Sequence, residues 1–178
     1  MSSDLADRLP FPLYALDFEA SGLGEYTYPI EVGIAWWTEP DAPIESWSTL
    51  IRPTREWQET FVWSEASQAI HGIEPHELAH GMSPAEALDA ANRRIGARIA
   101  FCDGGGHDLR WLAHLADAAG IEPTFRLGDW DGLAGLLEPD EYRRMIAWHD
   151  RIRVPHRAAA DAELLLKALA IGTQATDG

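Results

Sequence analysis

Two carboxylates alternate within an apolar run near the start of the chain, in the segment Leu16-Asp17-Phe18-Glu19-Ala20-Ser21-Gly22-Leu23. On an extended strand, side chains at i and i+2 point to the same side, so Asp17 and Glu19 would converge. Two converging acids repel each other unless a positive charge bridges them, and oxygen ligands favour Mg²⁺ or Mn²⁺ over zinc. The pattern indicates a divalent-cation site, provided that further carboxylates join it.

Two more acids and a histidine lie near helix starts in the second half of the chain. Asp108 follows a short apolar strand and three glycines, which places it at the carboxyl end of a strand, where open sheets usually build sites; an ordinary N-cap is the alternative. Asp161 lies one turn inside the last helix, where the helix dipole also favours an acid. His156 precedes that helix on a loop, and a histidine there could act as a general base.

Apolar periodicity and turn residues predict the elements that must position these side chains. The predicted strands lie at Leu13 to Phe18, Ile30 to Trp37, Trp47 to Ile51, Ile99 to Cys102 and Phe125 to Leu127. The predicted helices lie at Ser64 to Ile70, Pro84 to Ile95, Asp108 to Ala119, Leu133 to Leu137, Asp140 to Asp150 and Ala158 to Ala170. Three strands in an antiparallel meander followed by alternating helices and strands imply an α/β fold, a mixed sheet with helices on both faces.

The length of 178 residues fits one domain spanning 1–178, with a tail from residue 171 that we expect to fray. The first dozen residues lack the apolar stretch of a signal peptide, and no run of about 20 apolar residues suggests a membrane span, so we expect a cytoplasmic protein without a membrane partner. The single cysteine, Cys102, lies in an apolar run and is expected to be a core thiol.

The formal net charge of −15 argues against broad binding to long nucleic acid, which depends on lysine and arginine contacts to phosphates. The distribution is uneven, because the segment from residue 143 to 157 holds five arginines and one acid: Arg143, Arg144, Arg151, Arg153, Arg157 and Asp150. Phosphate contact and a solvated helix face are equally good interpretations of any one of these arginines.

Together these residues resemble the DEDDh branch of the DnaQ-like 3′–5′ exonucleases, a family with a ribonuclease H-like fold. The first family motif corresponds to residues 17–23, and the strand Pro29-Ile30-Glu31-Val32-Gly33-Ile34-Ala35 and the turn Ala69-Ile70-His71-Gly72-Ile73 are family-like as well. The third motif, His156-Arg157-Ala158 with Asp161-Ala162, is the most specific because it fixes residue types and spacing. The resemblance covers nearly the whole chain.

This resemblance implies hydrolysis of phosphodiester bonds with two Mg²⁺ or Mn²⁺ ions. It makes Asp17, Glu19, Asp108 and Asp161 the metal ligands and His156 the general base, so that these five residues are catalytic. It also places the turn after the first motif beside the terminal nucleotide. The implied substrate-binding residues are Ser21, Gly22, Leu23 and Arg157, with core packing as the alternative for Leu23.

The second motif departs from the family pattern, since relatives commonly carry His-Asn where this sequence has Asp103-Gly104. Asp103 is therefore a competitor for the role of Asp108. We prefer Asp108 because the segment that follows it continues as a helix in the family manner, whereas Asp103 precedes three glycines. The altered motif makes a second interpretation necessary: a catalytically inactive protein of the same fold that binds nucleic acid or acts as a scaffold.

The segment His76-Glu77-Leu78-Ala79-His80 satisfies the His-Glu-x-x-His pattern of zinc metalloproteases. Pro75, Gly81 and Pro84 leave barely more than one helical turn for it, and no third ligand is identifiable. A protease is thus a remote alternative.

The acidic composition favours single-stranded or short DNA or RNA 3′ ends as partners over long duplexes, because few arginines are available for phosphates. Some relatives form a homodimer in which the basic patch of one subunit serves the site of the other. The arginines between residues 143 and 157 would suit that arrangement or direct substrate contact.

Overall fold

A computed structural model describes residues 2–174, and its centre is one five-stranded sheet with the strand order β3-β2-β1-β4-β5. The strands are β1 (Leu13–Ala20), β2 (Pro29–Trp37), β3 (Glu45–Leu50), β4 (Ile99–Cys102) and β5 (Arg126–Asp129). β1 to β3 pair antiparallel, while β4 pairs parallel with β1 and β5 parallel with β4. The central strand β1 therefore has its carboxyl end beside that of β4.

Eight α-helices surround the sheet within residues 2–174. They are α1 (Ser2–Arg8), α2 (Arg55–Thr60), α3 (Glu65–His71), α4 (Pro84–Ile95), α5 (Gly106–Ala119), α6 (Trp130–Ala134), α7 (Pro139–His149) and α8 (Ala158–Thr173). A 3₁₀ turn covers Glu77–His80. In the described part of the chain, no helix is long and apolar enough to cross a bilayer.

The alternation of β1 divides the apolar core into two layers. Leu16 and Phe18 pack with residues of α4 and α5 on one face, whereas Leu13 and Ala15 pack with α6, α7 and α8 on the other. The predicted α/β fold is confirmed, with an antiparallel meander and helices on both faces.

Several boundaries differ from the prediction. α1 and α2 are helices that the sequence did not predict. α2 has an N-cap, because the Thr54 hydroxyl accepts a hydrogen bond from the Trp57 N–H. The α2 segment is too short to show a clear apolar period. Asp108 lies inside the first turn of α5 rather than at its cap, because α5 begins at Gly106. The tail expected to fray from residue 171 is helical as far as Thr173, and residues 175–178 lie outside the described range.

Candidate metal centre

β1 directs its two acids toward α8. Leu13 and Ala15 face the α8 layer of the core, and the two-residue period of a strand continues that face to Asp17 and Glu19. Both acids are partly exposed, at the end of an otherwise buried strand. The convergence predicted from the sequence is therefore a consequence of the pleat, and it points both carboxylates at the start of α8.

Gly33 allows α8 to come close enough to complete the group. Gly33 pairs with Asp17 across the β1–β2 ladder, and a Cβ atom on Gly33 would overlap the backbone of Ala158 and Ala159. The first turn of α8 consequently rests directly on β2. Asp161, in that turn, is carried to the acids of β1.

The carboxylates form two adjacent groups that share one member. Asp17, Glu19 and Asp161 each have a carboxylate oxygen within 4.8 Å of the others, and Asp17, Asp103 and Asp108 do so as well. Within the described chain, Oδ1 of Asp108 and Oδ1 of Asp161 are buried without a hydrogen-bond partner. Carboxylate oxygens are the ligands that Mg²⁺ and Mn²⁺ prefer, so the two groups, which have Asp17 in common, would fit two such ions.

The electrostatics of the metal-free site oppose full ionisation. Burial, together with the neighbouring carboxylates, raises the pKa of Asp17 well above its usual range and that of Glu19 to about 8. Burial is also the main reason that the pKa of Asp108 rises to about 6 and that the pKa of Asp161 is raised. Bound cations would favour the ionised forms of all four groups.

We expect the metal-free protein to become more stable when the pH falls from 8 to 5. The pKa of Glu19 is about 8 in the folded chain against 4.5 in its ordinary environment. Between these values the folded state holds more protons than the unfolded state, so stability falls as the pH rises. Urea unfolding in EDTA should show that Glu19 makes the folded state about 3 kcal/mol less stable at pH 8 than at pH 5, since one pKa unit corresponds to about 1.4 kcal/mol.

Glu19→Gln should reduce this pH dependence by the contribution of Glu19 and leave that of the other three acids, whereas Glu25→Gln, at an exposed position, should preserve it in full. Equal pH dependence in the two variants would contradict the burial and repulsion that we assign to Glu19.

Glu31 on β2 fixes the segment that carries His156. It is 2% exposed, and its two carboxylate oxygens accept hydrogen bonds from Nε and Nη2 of Arg157 at 3.0 and 2.9 Å. The same carboxylate accepts from the backbone N–H of Ala158 at 3.1 Å, at the start of α8. His156 precedes this anchor with φ of 56°, in the left-handed region, on an exposed loop.

Glu31→Gln is expected to lower the free energy of unfolding by about 1–3 kcal/mol, because the buried Glu31 carboxylate loses its ion pair with the half-exposed Arg157 and its charge-assisted bond to α8. Glu45→Gln on β3 is the matched control, since Glu45 is exposed. Urea unfolding at pH 7 measures both variants, and an equal effect of the two substitutions would show that the Glu31 anchor contributes nothing.

A pocket of about 230 Å³ opens beside the first carboxylate group. Glu19 and His156 line the pocket, and Leu23, Ile70 and Trp111 form apolar parts of its wall. Leu23 is 66% exposed and Ile70 is 57% exposed, so neither side chain belongs to the core. The arrangement places an apolar surface, a carboxylate and an imidazole around one small cavity.

Ser21 and Gly22 hold the turn on which Leu23 is presented. Ser21 is fully buried, and its Oγ accepts a hydrogen bond from the Tyr28 N–H at 3.1 Å. The carbonyl of Leu23 accepts from the guanidinium of Arg110 on α5 at 3.2 Å. In this structure the Ser21 side chain closes the turn, and Leu23 and Gly22 are the members of the predicted set that border the pocket.

Three of the five arginines between residues 143 and 157 have partners inside the molecule. Arg143 pairs with Asp140, Arg144 donates to the Gly172 carbonyl at 2.7 Å, and Arg157 is bound to Glu31. Arg151 and Arg153, on the exposed segment before His156, have no side-chain partner among residues 2–174. The guanidinium groups of Arg151 and Arg153 are therefore available to bind phosphate.

The His-Glu-x-x-His segment forms a single 3₁₀ turn rather than an α-helix. Neither His76 nor His80 belongs to a metal-binding group in the described chain. Both histidines are exposed, on the linker between α3 and α4. The remote protease interpretation gains no support from this geometry.

Sequence reasoning did not anticipate the role of Glu31 or the joint grouping of Asp103 and Asp108. The available signal for Glu31 was an acid in the middle of the apolar run Pro29–Trp37, where an unpaired carboxylate would be costly. For Asp103, the signal was its place directly after β4, at the same sheet edge as the acids of β1. His71, which borders the pocket, was noted only as part of a turn.

No family model matches the sequence, and no curated protein matches it. The structure is similar to that of E. coli exonuclease I in complex with a dA16 oligonucleotide, with a TM-score of 0.67 and 13% identity, over 93% of this chain and 41% of that one. It is similar to a 3′-exonuclease that recognises the histone mRNA stem-loop, with a TM-score of 0.66 and 12% identity, over 92% and 64% of the two chains. Cell-death related nuclease 4 gives a TM-score of 0.57 and 14% identity, over 92% and 64%.

This chain therefore spans less than two thirds of each of these solved structures. At such low identity the comparison shows the fold. The ribonuclease H-like fold that the motifs implied is confirmed.

Proposed function

We propose that this protein is a metal-dependent 3′–5′ exonuclease that hydrolyses phosphodiester bonds at the 3′ end of single-stranded or short nucleic acid and releases nucleoside 5′-monophosphates. The observation that carries the proposal is the pair of carboxylate groups sharing Asp17, beside a pocket that contains His156. The similar structures solved with a dA16 oligonucleotide and with an RNA stem-loop support a nucleic-acid substrate.

The chain's own residues divide into ligands and a base. Asp17, Glu19 and Asp161 would hold one cation, and Asp17 with Asp108 would hold the other. When bound, two Mg²⁺ or Mn²⁺ ions would supply activation of the attacking water and stabilisation of the leaving 3′ oxygen. His156 would accept the proton of the attacking water, from a loop whose downstream end is anchored by Glu31.

The apolar wall of the pocket suits the base of the terminal nucleotide. Leu23 and Trp111 offer carbon surface to the pocket, and stacking against such a surface is tolerant of base identity. Leu23 is 66% exposed, so its side chain is accessible to a substrate base. The neighbouring turn at Ser21 and Gly22 would bring backbone groups near the sugar.

The acidic net charge limits the length of the bound strand. A charge of −15 opposes the approach of a long polyanion, whereas two cations and a few guanidinium groups can hold one or two phosphates. Arg151 and Arg153 are the free guanidinium groups on the segment before His156. We expect short single strands to be degraded faster than long duplexes at moderate salt.

Leu23→Ala is expected to raise the KM for a short oligonucleotide by roughly 3- to 10-fold and to change kcat little, because the lost contact holds the substrate base and not the reacting phosphate. Leu136→Ala is the matched control, since Leu136 is also about half exposed, at 51%. Steady-state kinetics distinguish the two effects. An unchanged KM in Leu23→Ala would show that the terminal base does not bind against Leu23.

Product analysis tests the proposal. Unlabelled single-stranded DNA and RNA are incubated with the wild-type chain in Mg²⁺, Mn²⁺, Zn²⁺ or EDTA, and the products are separated by chromatography. Zn²⁺ belongs in the series because a zinc-bound form of E. coli exonuclease I has been solved. Nucleoside 5′-monophosphates that accumulate only with metal support the proposal. Binding of either strand without any product would instead support a scaffold.

A further inference from the structure

The register between β1 and β4 places Asp103 at the candidate metal centre, next to Asp17. Ala15 pairs with Phe101 in this parallel ladder, which places position 103 alongside Asp17 two residues further on. A carboxylate oxygen of Asp103 lies within 4.8 Å of one on Asp17 and one on Asp108. The second carboxylate group thus has three members.

Among the described residues, the Asp103 carboxylate makes no hydrogen bond or ion pair that would stabilise the fold. α5 is capped by Gly105 without a side-chain hydrogen bond. Its charge nevertheless contributes to raising the pKa of Asp17 and of Asp108, so in the metal-free chain its position is unfavourable. A cation among the three carboxylates would reverse that effect.

The buried carboxylate of Asp108 is independent evidence that a cation binds at this group. It is 1% exposed, and its Oδ2 accepts a hydrogen bond from the Gly104 N–H at 3.1 Å. Its Oδ1 is buried without a hydrogen-bond partner in the described chain and belongs to the side chain that faces Asp17 and Asp103. A Cβ at position 104 would press on the Asp108 carboxylate, so glycine there lets the loop after Asp103 fold onto Asp108. A buried carboxylate oxygen of this kind needs a hydrogen-bond or metal partner, which the described residues do not give to Oδ1.

We propose that Asp103 is a third carboxylate ligand of the second cation, so that the chain holds both cations before nucleic acid arrives. The inference rests on the proposed function and extends it, because the proposed function gives this cation only Asp17 and Asp108. With Asp103, each cation has three protein carboxylates. Three anionic ligands bind a hard divalent ion more tightly than two and need less help from substrate phosphates.

The test is a calorimetric titration of the nucleic-acid-free protein with Mn²⁺. The wild-type chain should bind two ions, and Asp103→Asn should bind one with wild-type affinity and the second at least about tenfold more weakly. Asp117→Asn is the matched control, because Asp117 is an exposed acid toward the other end of α5. Asp103 is itself exposed, so circular dichroism of Asp103→Asn should show an intact fold.

A wild-type chain that binds fewer than two ions, or an Asp103→Asn chain that binds two ions with wild-type affinity, would overturn the proposal. The titration does not depend on turnover. If the chain binds two ions through Asp103 but hydrolyses no nucleic acid, the exonuclease proposal fails and the Asp103 site stands. If the wild-type enzyme is active and Asp103→Asn binds Mn²⁺ as the wild type does, the Asp103 site fails and the exonuclease proposal stands.

Discussion

Replacing Asp17 by asparagine is expected to lower the rate of phosphodiester hydrolysis by roughly 10³-fold or more, since metal ions typically supply several kcal/mol of transition-state stabilisation. Asp17 is the one residue common to both carboxylate groups, so under the proposed function its loss would remove a ligand from both cations. The same change should raise stability in EDTA at pH 8, because burial and the neighbouring acids oppose the charge on Asp17. Activity and metal-free stability are therefore expected to move in opposite directions.

Single-turnover kinetics and urea unfolding measure the two effects of Asp17→Asn, with Asp117→Asn as the control for loss of an acid elsewhere. Asp117→Asn should leave both quantities near the wild-type values, because that residue is exposed on α5. An Asp17→Asn enzyme that kept a tenth of the wild-type rate would rule out a shared catalytic ligand at this position.

Replacing His156 by alanine is expected to lower kcat by about 10²–10⁴-fold, the usual contribution of a positioned general base, with a smaller change in KM. The residue lies on an exposed loop beside the pocket, so the fold and the carboxylate groups should persist without it. Mn²⁺ binding by His156→Ala should accordingly match that of the wild-type chain.

Added imidazole distinguishes a lost base from a disturbed loop, since a free imidazole that enters the vacated space can accept the proton. We expect partial restoration of kcat in His156→Ala and no effect of imidazole on the wild-type enzyme. His80→Ala is the control, because His80 is exposed on the linker before α4. Equal rates for the two alanine variants would exclude His156 as the base.

The sequence predicted most of the fold because its signals are periodic. α4 and β4 begin and end at the predicted residues, since a capping box at Ser83 and a glycine at position 96 mark α4. α1 and α2 were missed because each contains one large apolar side chain, Leu5 or Trp57, which makes no recognisable apolar period. Both side chains are buried in the core, and only the folded chain provides that packing.

The candidate site was predictable where it depends on local spacing. Asp17 and Glu19 converge because strand side chains alternate, and Asp161 reaches them because the start of α8 rests on Gly33. The contribution of Asp103 depends on the β1–β4 register, which joins residues far apart in the chain. The anchoring of Arg157 by Glu31 is likewise a contact between distant segments, and no local pattern encodes it.

The most direct test of the exonuclease proposal is the time course of a single-stranded oligonucleotide labelled at its 5′ end, with DNA and RNA in parallel and with Mn²⁺ or EDTA. We expect a ladder of labelled strands that shortens by one nucleotide at a time from the 3′ end, that requires Mn²⁺ and that is absent with Asp17→Asn. Immediate release of a labelled mononucleotide, or an unchanged strand with both polymers in Mn²⁺, would contradict a 3′–5′ exonuclease.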